Sequence, residues 1–263
     1  IYEAVKQLRR YSNQREETQE AGLEEGEERL FHSNQLLLVT CGDDARFGTI
    51  SSTYDYFFHW KAIYPEKFKH YTPPLGKERS QEVLIQGMLS PETLLDIVRH
   101  YMLYMSVNNT LVKTTCRYQQ YRAVTKVVER LRTEETSEER SGVVWHTQGS
   151  GKSLTMVFLI RKLRTSESLK DYKVLMVNDR LDLEDQLSET ATLSGEKVYF
   201  ITGSVQLKKD LANDTSNLNM VMVHKFREAQ ERFTPESVKE ALAVESGLKL
   251  PPNPVLICHS IRF

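Results

Sequence analysis

Between Ser141 and Leu154 the chain reads Ser-Gly-Val-Val-Trp-His-Thr-Gln-Gly-Ser-Gly-Lys-Ser-Leu, a short apolar run, a glycine-rich turn and a Lys-Ser pair opening an apolar helical pattern. These residue types in this order suit a nucleotide polyphosphate. Such a ligand needs several backbone N–H groups converging on its oxygens, the positive end of a helix behind them, a mobile cation, and a hydroxyl for Mg2+. Gly149 and Gly151 let the backbone curl with no Cβ in the way. Lys152 is placed to reach the β- and γ-phosphates, and Ser153 to ligate the metal. The strict pattern Gly-x-x-x-x-Gly-Lys-Ser/Thr asks for glycine at position 146, where this chain carries His146. The context compensates: Gly142 to Trp145 reads as an apolar strand before the loop, and Leu154, Val157, Phe158, Ile160 and Leu163 as a helix after it.

Hydrolysis at such a site also requires a carboxylate at the end of a neighbouring strand to hold Mg2+. Two places compete. Val174 to Asn178 reads as an apolar strand ending at Asp179, whereas Val255-Leu256-Ile257 continues as Cys258-His259-Ser260, with no acid. Either Asp179 carries the metal in a small-molecule or nucleoside kinase, or the chain stops or diverges just where the acidic motif belongs; a nucleotide-gated DNA-binding module is the non-enzymatic alternative. Upstream, Arg117-Tyr118-Gln119-Gln120 leads into a helical pattern from Tyr121 to Leu131. An amide can donate to adenine N7 and accept from its N6 amine together, although a glutamine taken alone is ordinary surface.

The elements that must position these groups follow from periodicity. Lys173 to Asn178, Val198 to Ile201, Met220 to Val223 and Pro254 to Ile257 are apolar on both faces and alternate with helix-compatible sequence. That pattern specifies a parallel sheet covered by helices, with ligand at the carboxyl ends of the strands. Earlier in the chain, Ile1, Val5 and Leu8 have helical spacing, which sets Gln7 and Tyr11 on one face as an ordinary surface pair. The glutamate-rich stretch from Arg15 to Arg29 is a solvated segment. Leu36 to Val39 and Phe47 to Tyr56 are strands joined by a turn at Cys41-Gly42-Asp43-Asp44. The aromatics of Tyr54 to Trp60 close a small core in preference to stacking on bases. Pro65 to Lys77 is irregular, helices are expected at Ser80 to Leu89 and Thr93 to Met105, with Ser90 as N-cap, and Leu94, Leu95, Ile97 and Val98 form the buried face of the second.

With 263 residues, 40% hydrophobic and 27% charged, the chain can bury a sizeable core and suits about two domains. A net charge of -1 excludes a uniformly basic nucleic-acid binder but not a motor that grips DNA in a local groove. Cys41, Cys116 and Cys258 are too scattered for a disulfide framework or a zinc site, which suits a reduced, cytoplasmic protein. No apolar run approaches the roughly 18 residues that span a bilayer, so no membrane partner is expected. The first residue, Ile1, gives the chain the look of a fragment.

Trp145 to Ser153 closely resembles the phosphate loop of the motor and endonuclease subunit of type I restriction enzymes, a superfamily 2 helicase-like translocase in which His at the first loop position is usual. Asn178 to Gln186 and Val223-His224-Lys225-Phe226 resemble its next helicase motifs, Arg117 to Gln120 its adenine-recognising motif, and Gln7 to Tyr11 the Gln-x-x-x-Tyr signature of its nuclease domain. Leu30 to Leu37, Gly48-Thr49 and Trp60-Lys61 resemble the end of that nuclease domain. The resemblance implies an α/β fold: a RecA-like P-loop parallel sheet flanked by helices, preceded by the C-terminal part of a PD-(D/E)xK-type nuclease domain. It implies nuclease tail at 1–64, linker at 65–90, and first motor domain at 91–263, incomplete at its C-terminus. It further implies ATP and Mg2+ as cofactors, with Arg117, Gln120, His146, Thr147, Gln148, Gly149, Ser150, Gly151, Lys152 and Ser153 at the nucleotide. Lys152 would neutralise phosphate charge and Ser153 hold Mg2+; Gln7 and Tyr11 would support cleavage, and Arg180 and Lys225 would touch DNA. Duplex DNA and the methylation and specificity subunits are the implied partners. Two departures bear on activity: the nuclease acids and lysine would precede Ile1, and the Asp-Glu-x-His box is not readable in Cys258 to Phe263. The chain alone is therefore expected to bind ATP weakly, without efficient hydrolysis or DNA cleavage.

Overall fold

The computed structural model describes residues 1–14, 22, 25–66, 79–147, 149–178, 192, 195, 197–201, 218–222 and 255–259. The chain forms two compact units, Ile1–Thr125 and Lys126–Phe263.

Among the described residues, the first unit contains two hairpins, three helices and the start of a fourth. Helix α1 (Tyr2–Tyr11) buries Val5 with Phe31, Leu37, Val39 and Phe57, and Ile1, Leu8, Ile50 and Tyr54 pack around them. Its C-terminus is closed by the return of the acidic segment. There the Glu27 amide donates to the Tyr11 carbonyl at 2.9 Å, and a Cβ on Gly26 would lie 2.2 Å from that oxygen. Strands β1 (Leu37–Cys41) and β2 (Asp44–Gly48) are antiparallel, Cys41 opposite Asp44 across a Gly42-Asp43 turn with Gly42 at φ 59°. Phe47 bridges Phe58, so the second strand ends at Gly48, earlier than its expected extension to Tyr56. Helix α2 (Ser80–Val83) runs into a π-helical turn at Leu84–Met88, and Val83, Leu84 and Met88 are buried. Gly87 lets that turn approach Trp60, whose indole nitrogen would lie 2.7 Å from a Cβ there.

Helix α3 (Pro91–His100) starts at Ser90 as the sequence predicts, but the Ser90 hydroxyl bonds the Gly87 carbonyl and the Thr93 hydroxyl, not a helix amide. Its buried residues are Thr93 and Ile97, while Leu95 is exposed. The helix expected to reach Met105 ends at His100. Met102–Val107 is instead strand β3, paired with β4 (Thr110–Thr115). Asn108 and Asn109 both have positive φ, the two-residue turn whose twist matches a hairpin. The second hairpin is tied to the first at Lys113. Its carbonyl accepts from the Thr49 hydroxyl at 2.6 Å, its amide donates to the Ser51 hydroxyl, and its buried ammonium donates to the Asn34 carbonyl. Trp60 is the aromatic node, edge-on to Phe47 and Tyr118 and tilted against Tyr121. This unit takes in α2 and continues to Thr125.

The second unit holds the remainder of helix α4 (Tyr118–Thr133), the one-turn helix α5 (Ser137–Arg140), helix α6 (Lys152–Arg164) and an all-parallel sheet. Strands β5 (Lys173–Asn178), β6 (Val198–Ile201), β7 (Leu218–Met222) and β8 (Val255–His259) lie in the order β6-β7-β5-β8. Val174 to Val177 are all fully buried, as are Leu218, Met220 and Val221, which is why these runs carry no polar alternation. Helix α6 buries Val157, Phe158, Leu159, Ile160 and Leu163. The parallel α/β unit is as the apolar runs predict. Gly142 to Trp145 is not: it forms no strand, and Val143 and Trp145 are 92% and 76% exposed.

Candidate phosphate site

The loop before α6 is shaped by three residues. Gly149 and Gly151 stand at φ 74° and 81°, a region that costs a residue with a Cβ roughly 1–2 kcal/mol. A Cβ on Gly149 would meet nothing within 4 Å, so the backbone there borders open space. Between them Ser150 is buried, its hydroxyl donating to the Thr147 carbonyl at 2.6 Å and its amide to the same oxygen at 3.3 Å. Gly151 is the N-cap of α6, and its carbonyl accepts from the Thr155 amide at 3.0 Å and hydroxyl at 3.1 Å.

The first turn of α6 contains no acidic residue, so nothing on the helix offsets its positive end. Lys152 and Ser153 begin that turn and are half-buried. His146 lies on the approach to the loop. Burial first, and the Lys152 ammonium second, push its imidazole below the usual range, so the ring is a neutral hydrogen-bonding group near pH 7. Together these groups place left-handed glycines, a helix N-terminus, an ammonium and a hydroxyl within one short stretch, a set that fits an anion of several oxygens. Gln148 of the expected set lies outside the described residues, as do Arg180 and Lys225.

The donor set for a divalent cation is thinner. Among the described residues no group of three His, Cys, Asp or Glu side chains converges. Strand β8 places Cys258 beside Met176 and His259 beside Val177 in the register, at the positions where the sequence lacks an acid. Asp179, the competing acid, lies outside the described residues.

The expected adenine-recognising residues belong to the first unit. The Arg117 amide donates to the Gln120 side-chain carbonyl at 2.7 Å, and the Gln120 amide donates to the Arg117 carbonyl at 3.0 Å. Gln120 is 1% exposed, so its carbonyl serves the N-terminus of α4. The Arg117 guanidinium stacks 4.2 Å above the Phe58 ring. Sequence reasoning missed Phe58 as that partner; the available signal was the alternation of Phe57 and Phe58 between inner and outer faces. Gln7 and Tyr11 are exposed on α1, one turn apart. Of the residues expected at the site, His146, Thr147, Gly149, Ser150, Gly151, Lys152 and Ser153 are brought together in the second unit. Arg117 and Gln120 are brought together in the first, and Gln7 and Tyr11 stand on a separate helix there.

The parallel-sheet unit, with its glycine loop opening a helix, falls in the stretch that the family model for the SWI2/SNF2 ATPase matches, residues 119–246. The chain is a homologue of the endonuclease subunits of type I restriction enzymes. It is 34% identical over 215 residues to the type I restriction enzyme HindI endonuclease subunit of Haemophilus influenzae, covering 78% of this chain and 20% of the relative. It is 28% identical over 174 residues to the putative type I restriction enzyme MjaIXP endonuclease subunit of Methanocaldococcus jannaschii, covering 60% and 16%. With the SsaAORF53P endonuclease subunit of Staphylococcus saprophyticus it shares 26% over 206 residues, covering 76% and 20%. The chain thus spans about a sixth to a fifth of the length of these relatives. No helix among the described residues is long and apolar enough to cross a membrane.

Proposed function

We propose that this chain is part of an ATP-dependent subunit that pulls duplex DNA past a complex of methylation and specificity subunits in the cytoplasm and cuts it at a distance. The observation that carries this reading is the loop from Thr147 to Ser153, whose two left-handed glycines and helix N-terminus fit a triphosphate, in a chain homologous to restriction endonuclease subunits.

The chemistry assigned to each side chain follows from its place. The amides around Ser150 and the first amides of α6 orient the phosphate chain. Lys152 neutralises charge on the outer phosphates, and the neutral His146 accepts or donates a hydrogen bond at the mouth without adding charge. Ser153 would be the residue that offers an oxygen to Mg2+, and the ion, bound with ATP, would supply electrophilic pull on the phosphate oxygens. Gln120 selects adenine, as the resemblance implies. Arg180 and Lys225 touch the DNA backbone, and Gln7 and Tyr11 support cleavage from α1. Residues 1–64 belong to the end of the nuclease domain and 91–263 to the first motor domain.

Strand β8 carries Cys258-His259 where a hydrolytic acid is required, so the chain alone holds nucleotide without turning it over efficiently. The test is ATP turnover in the assembled restriction complex. It rises with duplex DNA and vanishes on Lys152→Ala; DNA-independent phosphorylation of a small acceptor contradicts the reading and favours a kinase.

A further inference from the structure

The aromatic run from Tyr54 to Trp60 divides between two jobs. Phe57 and Trp60 are 4% and 2% exposed and belong to the core, whereas Tyr56 is 58% exposed and contributes little to it. Tyr56 stands edge-on to Phe58 with centroids 6.2 Å apart, and Tyr54 is edge-on to Tyr2 at 5.2 Å. Each inner ring of this outer set carries a guanidinium: Arg117 lies 4.2 Å over Phe58 and Arg46 5.2 Å over Tyr54. Asp44 sits 3.3 Å from Arg46 and 3.5 Å from His59, while Arg117 has no carboxylate partner among the described residues.

Surface rings that alternate with planar cations suit a ligand having flat π faces and a negative backbone. Any nucleobase can stack on an aromatic ring or on a guanidinium plane, so such a surface binds without reading sequence. A duplex cannot use it, because its base faces are already stacked on one another. An apolar protein partner would need a continuous greasy patch, and here the apolar rings are broken up by Arg46, Arg117 and His59.

We propose that Tyr56, Phe58 and Arg117 form a stacking platform for the bases of single-stranded DNA, extended by Tyr54 and Arg46. The platform lies in the first unit and needs no nucleotide at the phosphate loop, so it stands or falls independently of the ATP reading. Its function would be to hold a stretch of strand that has been separated or left unpaired.

The test uses the whole chain, without nucleotide, and a fluorescein-labelled oligothymidine of about 15 nucleotides, within the range that aromatic platforms of this kind occupy. Anisotropy should show binding of the single strand, weakened about tenfold by Tyr56→Ala and restored by Tyr56→Trp. Binding of the same-length duplex, if any, should be unmoved by Tyr56→Ala, and excess ATP should not displace the single strand. A second readout needs no variant. An oligonucleotide carrying 5-iodouracil, irradiated on the unaltered chain, should crosslink to the peptide containing Tyr54 to Phe58. No single-strand binding, equal affinity in Tyr56→Ala, displacement by ATP, or crosslinks confined to other peptides would each overturn the platform.

Discussion

Ser150 turns back on Thr147: its hydroxyl and its amide both reach the Thr147 carbonyl, at 2.6 and 3.3 Å. That pair of bonds closes a turn that contains the left-handed Gly149 and leads into the left-handed Gly151, and a Cβ on Gly149 would meet nothing within 4 Å. Preorganisation of this kind matters because a loop that must first be ordered by its ligand spends part of the binding free energy on ordering.

Removing the hydroxyl should therefore weaken nucleotide binding without touching any group that contacts phosphate. A neutral hydrogen bond contributes roughly 1 kcal/mol, so Ser150→Ala should raise the Kd of a fluorescent ATP analogue about fivefold. An unchanged Kd would mean that the turn forms equally well without the side chain.

His146 offers a pH test. Burial and the Lys152 ammonium both disfavour the imidazolium, so the ring titrates below the ordinary value of about 6.5. Between that value and the lowered one the unfolded chain binds more protons than the folded chain. Stability from this group is therefore full above the ordinary imidazole value and declines as the pH falls through the window. Because the ring is only partly buried, the decline is small. NMR titration of the ring proton should give a lowered value that moves up in Lys152→Ala; a titration at or above 6.5 contradicts the arrangement.

Gln120 has a structural task that can be separated from any part in reading adenine. Its side-chain carbonyl takes the Arg117 amide at the start of α4, a site with almost no solvent. Gln120→Ala strips that amide of its partner and should cost about 1 kcal/mol, the usual value of a helix cap. Urea unfolding followed by circular dichroism checks it: an unchanged midpoint would leave base recognition as the only role for the residue.

Gly26 is constrained by contact, not by its torsion angle. A methyl group there would sit 2.2 Å from the Tyr11 carbonyl oxygen and 2.5 Å from that of Arg10, both of them backbone atoms at the end of α1. Gly26→Ala should displace the Glu25–Glu27 segment, break the Glu27 amide bond to Tyr11, and destabilise the unit by about 1–3 kcal/mol. The loss should appear as a drop of several degrees in Tm, and an unaltered Tm would show that the segment packs elsewhere.

What the sequence made legible was decided by burial. The run at Lys173 to Asn178 falls on β5 residue for residue, because a strand covered on both faces leaves no polar alternation to confuse with a helix; Val198 to Ile201 falls on β6 as well, although that edge strand leaves Phe200 43% exposed. The glycines of the phosphate loop were legible for a related reason, since only glycine takes their torsions freely. Gly142 to Trp145 misled because apolar composition marks what can be buried without naming a partner strand, and Val143 stands almost fully exposed. Met102 to Met105 misled in the opposite sense. Its apolar residues continue the helical pattern of α3, and only the Asn108-Asn109 turn six residues later indicates a hairpin with Val107 opposite Thr110. The tie between Thr49 and Lys113 was beyond reach, because it joins residues 64 apart through a backbone carbonyl that any side chain would provide.

Titration calorimetry of ATP with Mg2+ into the chain and into its Lys152→Ala variant bears most directly on the anion cradle between Thr147 and Ser153. The unaltered chain should bind one nucleotide per molecule, inorganic pyrophosphate should displace it, and the variant should bind at least about tenfold more weakly, a difference of about 1.4 kcal/mol, with its fold intact. Equal affinity in the two chains, or nucleotide that pyrophosphate cannot displace, would contradict a phosphate site at this loop.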